Sequence, residues 1–376
     1  MFLRPTDKRV MLMKIARRPN LSPLFRMFYY DQAVFELSLA TSLSQSGRLS
    51  DRKGRVAKKL RISITDRCNF ACLFCMPEKD KITWIPREEV LSFEEIERVA
   101  RILASLGIDK IRVTGGEPLL RKGVESLVGM LSTIGGIEEV DMTTNGWFLY
   151  EKAEALREAG LSGVSVSLHS LRRERFAKIS GIDALPRVVR GIDRALDAGL
   201  SPVKINSVAI RGYNDDEVLE LVEFARARRI PLRFIEFMPL DGLGIWAPDK
   251  VMSGKEIVER VAEKYTLVPE GRGASQTASL WRFADGRGDM GLITPMSAPF
   301  CDDCDRIRLT ADGKLLSCLF DTQYHDLRQQ LRGGAEDKEL SDAILQAVWK
   351  KPDGVGYMPW ISDGWEKPRN MNSIGG

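Results

Sequence analysis

The sequence predicts an α/β protein built on a parallel sheet, and three features predict it. Six short stretches of strand character recur between residues 60 and 237, helical stretches fill the gaps, and turn residues mark the junctions. Strands that alternate with helices are joined by crossovers, which makes them parallel and the crossovers right-handed. An open doubly wound sheet and a curved partial barrel share this pattern, and both place the working site at the carboxyl ends of the strands.

"LRISIT" (60–65) is the first strand. In "SFEEIERVARILASLG", Ser92 and Glu95 stand in capping-box spacing, apolar residues recur at helical intervals, and Gly107 ends the run. Further strands are expected at 110–114, 138–144, 163–168, 203–209 and 232–237, with a helix starting at Asn214, three residues before Glu217. Apolar runs such as "VSVSL" suit strands covered on both faces. The segments after the strands are a three-cysteine loop, "TGGEP", "TTNG", "SLHS" and "EFMPLDG", and they converge on one mouth.

Length and composition, 376 residues with 44% hydrophobic, allow one large α/β domain and something smaller. No stretch approaches the roughly 18 apolar residues of a membrane span; "LFRMFYYDQAVFELSLA" is broken by Arg26, Asp31 and Glu36, so a soluble chain is expected. Residues 1–48 carry eight Lys or Arg against three Asp or Glu, so of the total charge of +4 the remaining residues hold −1. A balanced body gives no case for nucleic-acid binding. The basic segment 1–48 reads as a disordered extension, as residues upstream of a start at Met11, Met13 or Met27, or as a transit peptide.

The six cysteines fall into two triads, Cys68, Cys72 and Cys75 in "RCNFACLFC", and Cys301, Cys304 and Cys318. Odd triads do not suit disulfides. Zinc normally takes four ligands, and the first loop offers three thiols with no histidine nearby. An iron–sulfur cubane on three cysteines keeps one iron free for a small molecule. The second triad admits either a cubane or a structural zinc site closed by His325. Arg306 and Arg308, two apart on a strand, point to one face and suit a polyphosphate. With only His169 and His325 in the chain, histidine acid–base catalysis is not expected.

C-x3-C-x2-C with Phe74 before the last cysteine, followed by GGEP, resembles the radical S-adenosylmethionine (SAM) superfamily. With the second triad, "IRVTGGEPLLR", "VKINSVAIRGYNDDE", "LRFIEFMPLDG", "PMSAPFCDDCDRIRLTADGKLLSCLF" and the terminal "MNSIGG", residues 49–376 resemble the GTP 3',8-cyclase (MoaA) family of molybdenum cofactor synthesis. The resemblance implies a partial (βα)6 TIM-like radical SAM barrel over 49–240. It further implies a smaller C-terminal α+β module over 241–335 with an auxiliary 4Fe–4S cluster, and a helix and Gly-Gly tail over 336–376. It implies two 4Fe–4S clusters and SAM as cofactors, the second cluster's open iron meeting the guanine of GTP. The implied reaction is hydrogen abstraction from C3' of GTP by a 5'-deoxyadenosyl radical, followed by attack on C8.

Carried over position by position, the resemblance places Phe74, Gly116, Ser167 and Met238 on SAM. It places Arg61, Arg112, Thr143, Lys204, Arg306 and Arg308 on GTP, and Arg233, Gly375 and Gly376 near the reaction centre. A flavodoxin- or ferredoxin-type reductant, hand-over to cyclic pyranopterin monophosphate synthase, a homodimer and a cytoplasmic location are also implied. Three stretches depart from the family pattern: His169 where Asp is usual, "EGRGASQTAS", and "KPDGVGYMPW", which lacks a usual histidine. The rival readings are a radical SAM enzyme acting on peptides and a non-enzymatic protein with a structural zinc module.

Overall fold

The computed structural model describes residues 47–240, 244–354 and 371–375. Gly376, most of the basic segment 1–48 and most of "KPDGVGYMPW" lie outside the described residues. Six parallel strands form the centre: β1 (Lys59–Ser63), β2 (Lys110–Thr114), β3 (Glu139–Thr144), β4 (Gly163–Ser167), β5 (Val203–Ala209) and β6 (Leu232–Glu236). They lie side by side in chain order. Between them run α1 (Phe93–Ser105), α2 (Val124–Ser132), α3 (Leu149–Glu158), α4 (Arg173–Ser180), α5 (Leu185–Asp197) and α6 (Val218–Arg228).

Strand alternation sets the layers. In β1 and β2, Leu60, Ile62, Ile111 and Val113 are buried with helix residues such as Ile96 and Leu103, while Arg61 and Arg112 take the opposite face. β5 repeats the pattern, with Lys204, Asn206 and Val208 only partly buried. The first four residues of β4 are buried, as in a strand covered on both faces, but its inner face, Ser165 and Ser167, is polar like that of its neighbours.

α1 starts as expected, Ser92 and Glu95 forming a complete capping box. The expected helix start at Asn214 is not where α6 begins. A short 3-10 turn, Asp215–Glu217, comes first, and Asn214 makes no cap. Its side chain is engaged across the sheet end instead, accepting from Ile210 N–H and donating to the carbonyls of His169 and Val208. Glu217 is fully buried and accepts from Ser170 and Leu171.

The C-terminal part extends this sheet at both edges. On one side β9 (Asp289–Ile293) runs parallel to β6 and carries β8 (Ser279–Phe283) and β7 (Leu267–Gly271). On the other, β10 (Arg306–Leu309) runs parallel to β1, followed by β11 (Lys314–Leu316) and β12 (His325–Asp326). The result is one curved, open 12-stranded sheet. α7 (Gly254–Ala262), α8 (Leu327–Arg332), α9 (Asp337–Trp349) and the terminal turn α10 (Met371–Ile374) complete the chain. Among the described residues no helix is long and apolar enough to cross a membrane.

Candidate active site

The carboxyl ends of β1 to β6 surround a cavity of about 310 Å³, and all six cysteines line it. None of the six forms a disulfide. Burial, then the neighbouring Cys75 and Cys68, pushes the Cys72 thiol up, and burial with Glu117 nearby pushes Cys68 up to about 11. Bound iron reverses that, because a coordinated thiol is deprotonated. Cys304 differs: burial raises it, but Arg306 and Lys351 outweigh burial and hold it below the ordinary thiol value.

The donor sets fit iron–sulfur cubanes. Among the described residues no three of His, Cys, Asp and Glu are gathered tightly enough for one metal ion, whereas a cubane spreads its three ligands over three irons. His325, the proposed fourth zinc ligand, pairs with Leu315 in the β11–β12 ladder and does not line the cavity. Its charged neighbours are Lys350 and Asp321. The zinc reading thus lacks its closing ligand.

The first triad is held by the turn after β2. Gly116 donates to the Thr65 carbonyl at 2.7 Å, and Glu117 N–H to the Arg67 carbonyl at 2.7 Å. A Cβ at Gly116 would stand 2.2 Å from the Arg67 oxygen, so only glycine permits this contact. The buried Glu117 carboxylate accepts from Leu119 N–H, the Thr144 hydroxyl and Asn145 N–H; burial pushes it up to about 7. Asn145 in turn donates to Asn69 Oδ1 at 2.8 Å and to Cys68 Sγ at 3.7 Å.

Phe74, Gly116, Ser167 and Met238 all line the cavity. Phe74 meets the edge of His169 at 4.7 Å between centroids. His169 Nδ1 accepts from Val208 N–H at 3.1 Å, so its proton sits on Nε2, and burial lowers its pKa to about 4. Met238 packs with Leu240, Phe320, Cys301 and Cys318, bridging towards the second triad.

Arg308, Arg61 and Arg112 are register neighbours on β10, β1 and β2. Burial, with Arg308 and Arg112 beside it, lowers Arg61 well below its ordinary value, and burial with Arg306 nearby lowers Arg308 to about 10. Arg112 is held by Asp141 at 2.6 Å. Arg233 and Thr143 also line the cavity, and the Thr143 hydroxyl is buried without a partner. Lys204 does not reach the lining; it sits two residues before Asn206 on the same face, and burial with Arg233 nearby lowers it to about 8.

The tail reaches this group. Arg308 donates to the carbonyls of Ile374 and Gly375. Gly375, at φ +79°, lies so close to β1 and β2 that a Cβ would stand 2.5 Å from Thr114 Cγ2 and 2.7 Å from Ser63 Oγ.

Four residues were not singled out from sequence. Asn206 lines the cavity with a buried, unpartnered Oδ1. Asn145 lies inside the quoted "TTNG" and Glu236 inside "EFMPLDG", so the signal was an acid or amide at a strand end. Glu236 is buried and accepts from Gly254, Met296 and Ser297 N–H, tying the loop that leads to Cys301 onto β6. Lys351, buried against Cys304, had no signal, since a lysine after a helix reads as ordinary C-terminal charge. Of the departing stretches, "EGRGASQTAS" packs its loop on Asp303 and brings Thr277 to the cavity.

A three-thiol loop and a glycine turn at the mouth of a partial parallel barrel define a radical SAM enzyme. Family models agree: residues 62–225 match the Radical SAM superfamily and residues 230–357 match Molybdenum Cofactor Synthesis C. The chain is 43% identical over 330 residues to a GTP 3',8-cyclase of Pelotomaculum thermopropionicum, covering 87% of this chain and 100% of that protein. It is 43% identical over 342 residues to one of Rhodopirellula baltica, covering 89% and 94%. It therefore belongs to the GTP 3',8-cyclase family. Streptococcus suis SuiB bound to S-adenosylmethionine shares the fold, with a TM-score of 0.55 at 14% identity over 85% of this chain and 73% of that one.

Proposed function

We propose that this chain cyclises GTP to (8S)-3',8-cyclo-7,8-dihydroguanosine 5'-triphosphate, the first step of molybdenum cofactor synthesis. The observation that carries this reading is the row Arg308, Arg61 and Arg112, three guanidinium groups in adjacent register inside a cavity lined by both cysteine triads. Like charges side by side on neighbouring strands repel, and a triphosphate converts that repulsion into bidentate contacts.

Cys68, Cys72 and Cys75 hold the first cluster, with Gly116, Ser167, Phe74 and Met238 around SAM. When bound and reduced, such a cluster would supply the one-electron chemistry that cleaves SAM, and the residues around SAM and GTP would hold C3' of the sugar where its hydrogen is taken. Cys301, Cys304 and Cys318 would hold the second cluster. Arg61, Arg112, Arg306 and Arg308 bind the phosphates, Lys204 adds its charge from outside the lining, and Thr143 offers its unpartnered hydroxyl to the nucleotide. Arg233 and Gly375 shape the wall around the reacting sugar, and Gly376 keeps the role near the reaction centre that the family resemblance gives it. The neutral lining of Phe74, Met238, Phe300 and Phe320 excludes water and competing hydrogen donors. A flavodoxin- or ferredoxin-type donor, delivery to cyclic pyranopterin monophosphate synthase, a homodimer and a cytoplasmic location complete the proposal.

Anaerobic reconstitution followed by SAM and a chemical reductant tests it. 5'-Deoxyadenosine should form with GTP and fall to background with a peptide or with no substrate. Equal amounts under all three conditions would contradict the reading and favour a peptide-acting enzyme.

A further inference from the structure

Lys351 follows α9 and is 3% exposed. Its Nζ donates to the carbonyl of Cys304 at 2.7 Å, to the carbonyl of Arg306 at 3.0 Å and to Cys304 Sγ at 3.4 Å. Three donors thus have three acceptors, yet among the described residues no carboxylate pairs with this cation. A buried ammonium without a counter-charge is costly. Arg306 Nη2 adds a second cationic donor to the same sulfur at 3.2 Å. By contrast, the contacts on Cys68 of the first triad come from two neutral groups, Phe70 N–H and the Asn145 amide.

The segment carrying Lys351 is locked onto the second triad. Arg55 donates to the carbonyls of Cys301, Pro352 and Asp353 at 2.8, 2.7 and 3.1 Å. Gly354 lies against Cys301, where a Cβ would stand 2.2 Å from the cysteine Cβ. The ammonium is therefore fixed in place beside Cys304.

We propose that Lys351 is a positioning residue that sets the reduction potential of the second cluster, its charge on Cys304 Sγ favouring the more negative, reduced form. Charge and hydrogen bonds at the sulfur ligands are what tune such potentials. The proposal rests on the second triad holding an iron–sulfur cluster. It makes the second site the easier of the two to reduce, because Cys304 receives two cationic donors where Cys68 receives neutral ones.

The test is a redox titration of the anaerobically reconstituted holoenzyme followed by electron paramagnetic resonance, with SAM added to mark the first cluster's signal. Lys351→Met should lower the reduced-to-oxidised ratio of the second cluster about tenfold at a fixed potential, equivalent to about 59 mV for one electron. The first cluster should titrate as in the wild type, and Lys351→Arg should retain most of the wild-type potential. If Lys351→Met does not load iron, Lys351→Gln, which keeps a donor amide and loses the charge, carries the same test. An unchanged second midpoint, or equal shifts of both clusters, overturns the proposal. Zinc in the wild-type second site would overturn the cluster reading itself, before any variant is made.

Discussion

Arg61 stands in register between Arg308 and Arg112, with no carboxylate bound to it among the described residues. Burial, with like charges nearby, depresses Arg61, Arg308 and, farther along the sheet, Lys204. Lys204 makes this measurable. Burial and Arg233 lower it to about 8, so it is charged below that pH and neutral above it. GTP affinity should therefore fall as pH rises from about 7 to about 9.5, measured by calorimetry under anaerobic conditions. Lys204→Met should weaken GTP binding only several-fold at pH 7, because its charge acts on the phosphates from outside the lining and not through a direct contact, and flatten the dependence. Arg306 and Arg308 were legible in the sequence because a strand puts alternate residues on one face. Lys351 was not, because its partners are a thiol and two carbonyls some 45 residues away in the chain.

At the scale of elements, the local signals held where the side chain's partner lies within the same segment. Ser92 and Glu95 cap α1 because both ends of the capping box belong to one turn. Asn214 carries the same signal, and tertiary hydrogen bonds to His169, just beyond β4, and to Val208 of β5 take it away. A short run suits a strand covered on both faces without revealing which face meets the ligand; β5 alternates, and its partly buried Asn206 and Val208 line the cavity. The tail shows how an element's reach depends on one residue. Gly375→Ala should place a methyl 2.5 Å from Thr114 Cγ2 at a positive φ, so the tail must leave the wall formed by β1 and β2. Hydrogen exchange at residues 371–375 should rise, and GTP turnover should fall while SAM binding stays close to wild type. Unchanged exchange would mean that the tail is not held by this contact.

For the whole molecule, the decisive feature is that the C-terminal part closes onto both edges of the barrel sheet. β10 pairs with β1 across some 245 residues of chain, which carries Cys301, Cys304 and Cys318 to the cavity that Cys68, Cys72 and Cys75 already line. Periodicity and turn chemistry revealed the six central strands, but a pairing so distant leaves no local trace in either segment. The resemblance to a known family supplied the second triad's purpose, and the register supplies the physical reason: two cysteine triads and a row of cations share one cavity. That claim is tested most directly with GTP deuterated at C3', given to the anaerobically reconstituted enzyme with SAM and reductant. Mass analysis of the 5'-deoxyadenosine should find one deuterium gained per cleavage event. Unlabelled 5'-deoxyadenosine, formed at the same rate with or without GTP, would contradict the account.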